Sequence, residues 1–153
     1  MQPKHFSVAP SDYPRALNVA FERITILASG DRTGSYEIFL QEAREGSGPF
    51  PHSHPWDEAF FVTRGEVDFS IGDDQTHTAV AGTLVHIPAG TTHWFRWRSG
   101  GGGMISITSK LGASRLFADL DREMPEGPRD PVKAANIFKR HGVTLARRQQ
   151  QYS

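Results

Sequence analysis

The sequence predicts an all-β fold, a sandwich or closed barrel of short strands with a short two-helix extension at the C-terminus. Three observations predict it. Between about residues 20 and 109, short β-branched and aromatic runs alternate with Gly, Pro and Asp turn signals at regular spacing. After Thr108 the apolar residues switch to helical spacing. Two turn-rich stretches, Gly46 to Gly65 and Gly82 to His93, set histidines beside strands at spacings that bring side chains to one point.

Composition bounds the rest. A chain of 153 residues is long enough for one domain with its own core, here 1–153, with the barrel at about 20–109 and the extension at about 112–145. Apolar residues make up 37% and charged residues 22%, a globular balance and not a disordered one. Seventeen basic and seventeen acidic residues cancel, which removes the electrostatic argument for nucleic acid or an anionic membrane as partner. No run of about 18 apolar residues exists to span a bilayer. The N-terminus lacks the apolar core of a signal peptide, and the absence of cysteine excludes disulfides and thiolate metal sites; the expected compartment is the cytoplasm.

The elements follow in order. Residues 1 to about 18 carry three prolines and read as an arm lying on the domain or pairing at an edge. Arg23–Ala28 is β-branched and reads as a strand, and Ser29–Gly34 as a turn. Ser35–Ala43 alternates Tyr36, Ile38 and Leu40 against Glu37, Phe39 and Gln41, a second strand. Glu58–Thr63 is a strand that Arg64-Gly65 turns into another, Glu66–Ile71. Gly72-Asp-Asp74 signals a hairpin. Gln75–Ala81, Thr83–Ile87, His93–Arg98 and Met104–Thr108 are four further strands, with Ser99 and the run Gly100–Gly103 as a hairpin loop. Ser114–Glu123 reads as a helix capped by Ser114. Asp130-Pro131 opens a second helix, with Val132, Ala135 and Ile137 or Phe138 on one face and Gly142 as its stop. Val143–Leu145 is an extended tail. Lys139, Arg140, Arg147 and Arg148 form a basic, solvated end, and 147–153 reads as frayed.

Within the first stretch His52 and His54 lie two apart, so a strand points both imidazoles to one face. Glu58 has the same parity. His93 follows the Pro88-Ala-Gly90 turn. Three imidazoles and a carboxylate suit a divalent first-row ion, with metal–nitrogen distances of about 2.0–2.2 Å; ligand type alone does not choose among Fe, Mn, Ni, Cu and Zn.

The two stretches resemble the paired motifs of the cupin superfamily. Its first motif runs Gly, five residues, His-x-His, three or four residues, Glu, six residues, Gly, and Gly46, His52, His54, Glu58 and Gly65 fit every gap. The second runs Gly, five residues, Pro-x-Gly, two residues, His, three residues, Asn; Gly82, Pro88, Gly90 and His93 fit, while Trp97 stands in place of Asn. Looser matches from about Ile24 to Leu145 are similar to single-domain bacterial cupins of the quercetin 2,3-dioxygenase-like kind. The resemblance implies a double-stranded β-helix (jelly-roll barrel) with His52, His54, Glu58 and His93 as metal ligands. It also implies a dioxygenase acting on a small oxygen-chelating substrate, such as an enediol, catechol, β-diketone or flavonol. A ligand-binding or sensory cupin and a zinc-type isomerase or lyase are the alternatives.

Four protein ligands on an ion that prefers six leave positions for such a substrate. Glu58 serves as ligand or, in addition, as the catalytic base that takes the hydroxyl proton. By parity, Phe60, Phe95 and Trp97 line the interior, either as an aromatic substrate wall or as ordinary core. Trp56 gates the mouth or packs on the surface. Trp97 lies about 13 Å along the strand from His93 at the usual rise. In the lumen it shortens the pocket and favours a compact substrate; otherwise it packs beneath the C-terminal helices. Trp94, Arg96 and Arg98 form an outward aromatic-basic stripe, read as a cation–π or dimer surface. His86 is a sheet histidine or a support to the site; His5, His77 and His141 carry no assigned role. A homodimer is expected because sheet edges need covers, with the N-terminal arm and the Trp94 face available.

Overall fold

The computed structural model describes residues 2–109 and 112–146; the tail at 147–153, with Arg147 and Arg148, lies outside them. The chain is mostly β, with its two longer helices following the long strands. Its strands are β1 (Leu17–Val19), β2 (Glu22–Ala28), β3 (Tyr36–Ala43), β4 (His52–Ser53), β5 (Glu58–Ile71), β6 (His77–Ala79), β7 (Leu84–Ile87), β8 (His93–Ser109) and β9 (Thr144–Leu145). Its helices are α1 (Gly30–Thr33), α2 (Ala113–Glu123) and α3 (Pro131–Arg140). Among the described residues no helix is long and apolar enough to cross a membrane.

Two long strands build both layers. The first half of β5 pairs with the second half of β8, from Glu58 opposite Thr108 to Gly65 opposite Gly102. With β7, β3, β2 and β1 they make the larger sheet. The second half of β5 pairs with the first half of β8, from Val67 opposite Trp97 to Ile71 opposite His93, and with β6; β4 and β9 extend this smaller sheet. All pairs are antiparallel, and the register shifts where β5 passes from one sheet to the other, at Val62/Arg64 and Gly65/Val67.

This corrects two sequence expectations. Arg64-Gly65 does not reverse the chain, and Gly100–Gly103 is not a hairpin loop: each lies inside a strand at the crossing between sheets. The glycines are needed there for space. A Cβ on Gly102 would lie 2.2 Å from the Arg64 carbonyl oxygen and 2.3 Å from the Trp97 ring, which lies across the backbone at that point. Local composition cannot separate a loop from a strand bent by close approach.

Two clusters fill the interior. Phe60, Val62, Val67, Phe69, Phe95, Trp97 and Met104 pack between the sheets, with Phe60 and Phe95 rings edge-on at 5.4 Å. Ile24, Phe39, Trp56, Leu116, Leu120, Ile137 and Val143 pack where α2 and α3 cover the rest of the larger sheet's inner face. The N-terminal arm lies on the domain as expected, with Arg15 bidentate on Asp121 of α2 at 2.6 and 3.3 Å. Ser29–Gly34, expected as a turn, holds the one-turn helix α1.

The helices differ in detail from their sequence reading. Ser114 is not the cap of α2; Gly112 holds that position and the buried Glu37 carboxylate accepts the Ser114 N–H at 3.0 Å. The other Glu37 oxygen accepts from Gly30 N–H at 2.8 Å, so one acid from β3 serves two helix starts. Asp130 caps α3 as expected, accepting from Val132 and Lys133 N–H. The buried face of α3 is Ala134 and Ile137, not Val132, which is 71% exposed. His141, given no role, ties α3 to α2 through Asp119 at 2.6 Å.

Candidate metal centre

The sheet brings together histidines that are forty residues apart in sequence. His52 on β4 sits directly opposite His93 at the start of β8. His54 follows two residues on, and its carbonyl accepts Gly90 N–H at 2.9 Å; Asp57 accepts Ala89 N–H at 2.9 Å. The Pro88-Ala-Gly90 turn therefore docks onto the loop that carries His54, which is why that turn precedes His93. On the other side β9 closes the edge: Leu145 pairs with His52, Thr144 with Ser53, and Ala146 N–H donates to the Pro51 carbonyl at 3.0 Å.

The ring centroids of His52, His54 and His93 lie 4.3 to 5.5 Å apart, and one nitrogen from each ring falls within 4.8 Å of the others. This cluster is consistent with a metal site. Each Nδ1 faces a backbone carbonyl two residues away: His52 to Phe50 at 2.8 Å, His54 to Trp56 at 3.0 Å and His93 to Thr91 at 2.9 Å. A carbonyl only accepts, so each Nδ1 carries the proton and each Nε2 of the neutral ring presents a lone pair. Glu58 Oε1 lies 3.3 Å from His54 Nε2 and 3.5 Å from His93 Nε2. Lone pairs thus converge with no donor of their own, and His93 Nε2 is a fully buried acceptor without a hydrogen-bond partner. A cation at their centre satisfies all of them. The residues present fit a divalent metal ion.

Burial and neighbouring groups adjust the titration of His52 and Glu58. His52 is half-buried and opens the cluster toward solvent, while His54 and His93 are 5% and 1% exposed. Burial, reinforced by His93, lowers His52 to about 4, so it is neutral at pH 7. Burial alone would raise the Glu58 carboxyl, but in the metal-free protein His54 and His93, once protonated at Nε2 as well, lie 3.3 and 3.5 Å away, outweigh it and bring it to about 2. Both folded values lie below the unfolded ones, so both groups add stability that is lost as pH falls. His52 acts between about 6.5 and 4, and Glu58 between about 4.5 and 2. In chelator-treated protein the Tm is therefore expected to fall through both windows, and Glu58→Gln to flatten the lower one. Parallel Tm-against-pH curves for the two proteins would refute the Glu58 contribution.

The other residues singled out by sequence take varied places. Phe60, Phe95 and Trp97 face the interior and are 1%, 4% and 2% exposed, packed against one another. Trp97 is part of this sheet-to-sheet core and does not lie beneath the helices. Trp56 neither gates a mouth nor sits on the surface: it is 2% exposed within the helical cluster, and its ring stacks on His54 at 4.5 Å and 11°. Of the outward stripe, Arg96 donates to the Gly48 carbonyl at 2.9 Å and Arg98 pairs with Asp68 at 3.0 Å, so both are engaged within the chain. His86 is exposed on the outer face of β7, away from the cluster.

Sequence reasoning missed Glu22. It is buried at the strand end near Trp97, where burial raises its carboxyl to about 8 against the pull of the Trp97 indole N–H. Among the described residues its Oε1, Gln41 Oε1 and Trp97 Nε1 are buried polar atoms that form no full hydrogen bond, so the indole N–H acts on Glu22 by proximity alone. The aromatic core therefore ends on a polar, neutral floor opposite the histidines. An acid in a short strand next to a turn reads as exposed, so no local signal marks it.

The comparisons with known proteins agree with this geometry. Residues 39–106 match the cupin domain family, a span that holds all four expected ligands. The chain is 27% identical over 116 residues to quercetin 2,3-dioxygenase of Bacillus subtilis, covering 74% of this chain and 34% of that protein. It is 25% identical over 120 residues to acireductone dioxygenase of Exiguobacterium sibiricum, covering 76% of this chain and 60% of that protein. It therefore spans about a third and three fifths of the lengths of these two relatives. Among solved structures, an RmlC-like cupin from Shewanella frigidimarina superposes with a TM-score of 0.64 at 16% identity, over 75% of this chain and 99% of that one, a likeness of fold alone. Fold, histidine cluster and family match converge: this chain carries a cupin domain, distantly homologous to quercetin 2,3-dioxygenase and acireductone dioxygenase.

Proposed function

We propose that this protein is a metal-dependent dioxygenase that acts on a small substrate with two adjacent oxygens. The observation that carries the reading is the convergence of the His52, His54 and His93 lone pairs with the Glu58 carboxylate, at 3.3 and 3.5 Å from two of the Nε2 atoms. The names of the two distant relatives support dioxygen chemistry over other uses of such a site. A divalent ion held there lowers the pKa of a coordinated hydroxyl and supplies Lewis-acid or redox chemistry.

The chain's own residues do the remaining work. Phe50, Trp56 and Thr91 carbonyls fix each imidazole's tautomer and rotation, so no reorganisation is needed when the ion binds. Glu58, ionised at neutral pH, is the fourth ligand and accepts the substrate hydroxyl proton. Phe60, Phe69 and Phe95 exclude water beneath the site. The depth of the interior is limited by Trp97, which fills the far end between the sheets. That packing favours a compact one-ring or open-chain chelator over a full flavonol.

The test is metal analysis of protein purified without chelator, then oxygen uptake with catechols, β-diketones and flavonols. One-ring or open-chain substrates are expected to give uptake, and Glu58→Gln to lower it by about 10²–10⁴-fold, the usual range for a general base. Tight ligand binding without uptake would replace this reading with a non-catalytic, ligand-sensing cupin. Faster turnover of flavonols than of one-ring substrates would refute the size limit set by Trp97.

A further inference from the structure

The hydrogen bonds and ion pairs of the chain leave four arginines over. Arg23, Arg44, Arg64 and Arg129 have no side-chain partner among the described residues. Every other described arginine has one: a carboxylate, a backbone carbonyl or, for Arg32, the Phe6 ring. The four come from separate segments: β2, the residue after β3, the middle of β5 and the loop between α2 and α3. Yet all four line one cleft of about 570 Å³. Like charges gathered in a concavity repel one another and focus their field on whatever enters it. The cleft is not the histidine site. Glu58 lies opposite Thr108 of β8, whereas Glu42 and Arg64 are both opposite Gly103, about 16 Å back along that strand at the usual rise per residue.

The rest of the lining completes a site. Val19 pairs with Glu22, so Ala20 and Phe21 form a two-residue hairpin turn. Both have positive φ, 49° and 70°, in a turn that favours Asn-Gly. A bulky Phe is strained there. The turn sets its ring against the Gly127 backbone, where a Cβ would lie 2.5 Å from the ring, yet Phe21 stays 51% exposed. Phe21 and Pro125 thus give the cleft an apolar side. Glu22 also lines it, 6% exposed and with its Oε1 lacking a hydrogen-bond partner among the described residues. Protonated at neutral pH, it adds no charge and offers an O–H to an acceptor. Glu42 and Glu126 are the other acids of the lining. Glu42 lies directly opposite Arg23 and still forms no ion pair with it. Four guanidiniums against two acids leave an excess of two positive charges.

We propose that this cleft binds a small organic dianion, a compact apolar body carrying carboxylate or phosphate groups. Planar guanidiniums hold either group through paired N–H donors. Two negative charges balance the excess of the lining, and Phe21 and Pro125 cover the apolar body. The volume is that of an ordinary small-molecule site. The site depends neither on the metal centre nor on the reaction proposed for it.

Titration calorimetry of the unmodified protein with phthalate and with phenyl phosphate is expected to show saturable binding at one site per chain, weakening as salt rises. Binding of either anion supports the proposal, and the tighter one identifies the anionic group. Benzyl alcohol, uncharged, should not bind, and inorganic phosphate should bind at least about tenfold more weakly than phenyl phosphate. Arg64→Gln/Arg129→Gln is expected to lower the affinity at least about tenfold, since each change removes a charged donor. Arg115→Gln, on the exposed side of α2, should leave it unchanged. Phe21→Gly suits the turn, so the Tm should not fall while the affinity for phenyl phosphate does. Binding should persist after chelator treatment and in His93→Ala protein, which separates this site from the histidines. The inference is overturned if neither anion saturates, or if Arg64→Gln/Arg129→Gln protein of unaltered Tm binds as before. It is equally overturned if binding is lost with chelator, or if inorganic phosphate binds as tightly as phenyl phosphate.

Discussion

His93→Ala is expected to strip the protein of its metal. His93 is 1% exposed, its Nδ1–H is fixed to the Thr91 carbonyl, and its Nε2, 3.5 Å from Glu58 Oε1, has no hydrogen-bond partner among the described residues. Loss of an outer hydrogen-bond partner of a metal ligand costs about 10–100-fold in affinity, so loss of the ligand itself should exceed about 100-fold. The readout is metal per chain after gel filtration, together with the rise in Tm on adding metal, which follows the ratio of free metal to dissociation constant. Both should vanish in His93→Ala and in His52→Ala. His86→Ala, on an exposed face of β7, should leave both intact. Unchanged metal content in His52→Ala/His93→Ala protein would remove the metal centre from consideration.

Trp56→Ala is expected to have the largest effect on stability. The indole is 2% exposed among residues of α2, α3 and β3, and its removal leaves a cavity the helices cannot close. The expected cost is about 3–5 kcal/mol, as for other buried aromatic truncations. In a domain of this size that corresponds to a Tm lower by roughly 10 °C. The same ring stacks on His54 at 4.5 Å, so its loss also frees one member of the metal cluster to rotate. A further drop in metal affinity of about tenfold should follow, and Trp56→Phe should restore most of it. A Tm within about 2 °C of the unmodified protein would show that the indole is not where the packing places it.

Much of the fold was legible because its signals are local. Strand periodicity, the helix switch after Thr108 and the Asp130 cap each depend on residues within a few positions of one another. The histidine pair was legible for the same reason, through the two-residue repeat of a strand. The errors share one cause, which is distance in sequence. Gly100–Gly103 looks like a loop until β5 and the Trp97 ring are set against it. Ser114 looks like a cap until Glu37, 77 residues earlier, reaches the start of α2 first. Val132 looks like a core residue until α3 docks through Ala134 and Ile137.

The sequence by itself determined where most of the strands lie, the two longer helices and the three histidines that cluster, because ligand chemistry and strand parity are properties of short segments. Tertiary structure alone decided how those residues act. It chose which imidazole nitrogen carries the proton, through the carbonyls of Phe50, Trp56 and Thr91. It moved Trp56 from surface to support, set a neutral Glu22 at the floor of the aromatic core, and turned the apolar side of β3 and β8 outward. Alternation states that a strand has two faces; which face is inside depends on what the rest of the chain can cover. Here the helices and the smaller sheet cover the polar-bearing face, and the apolar one is left over.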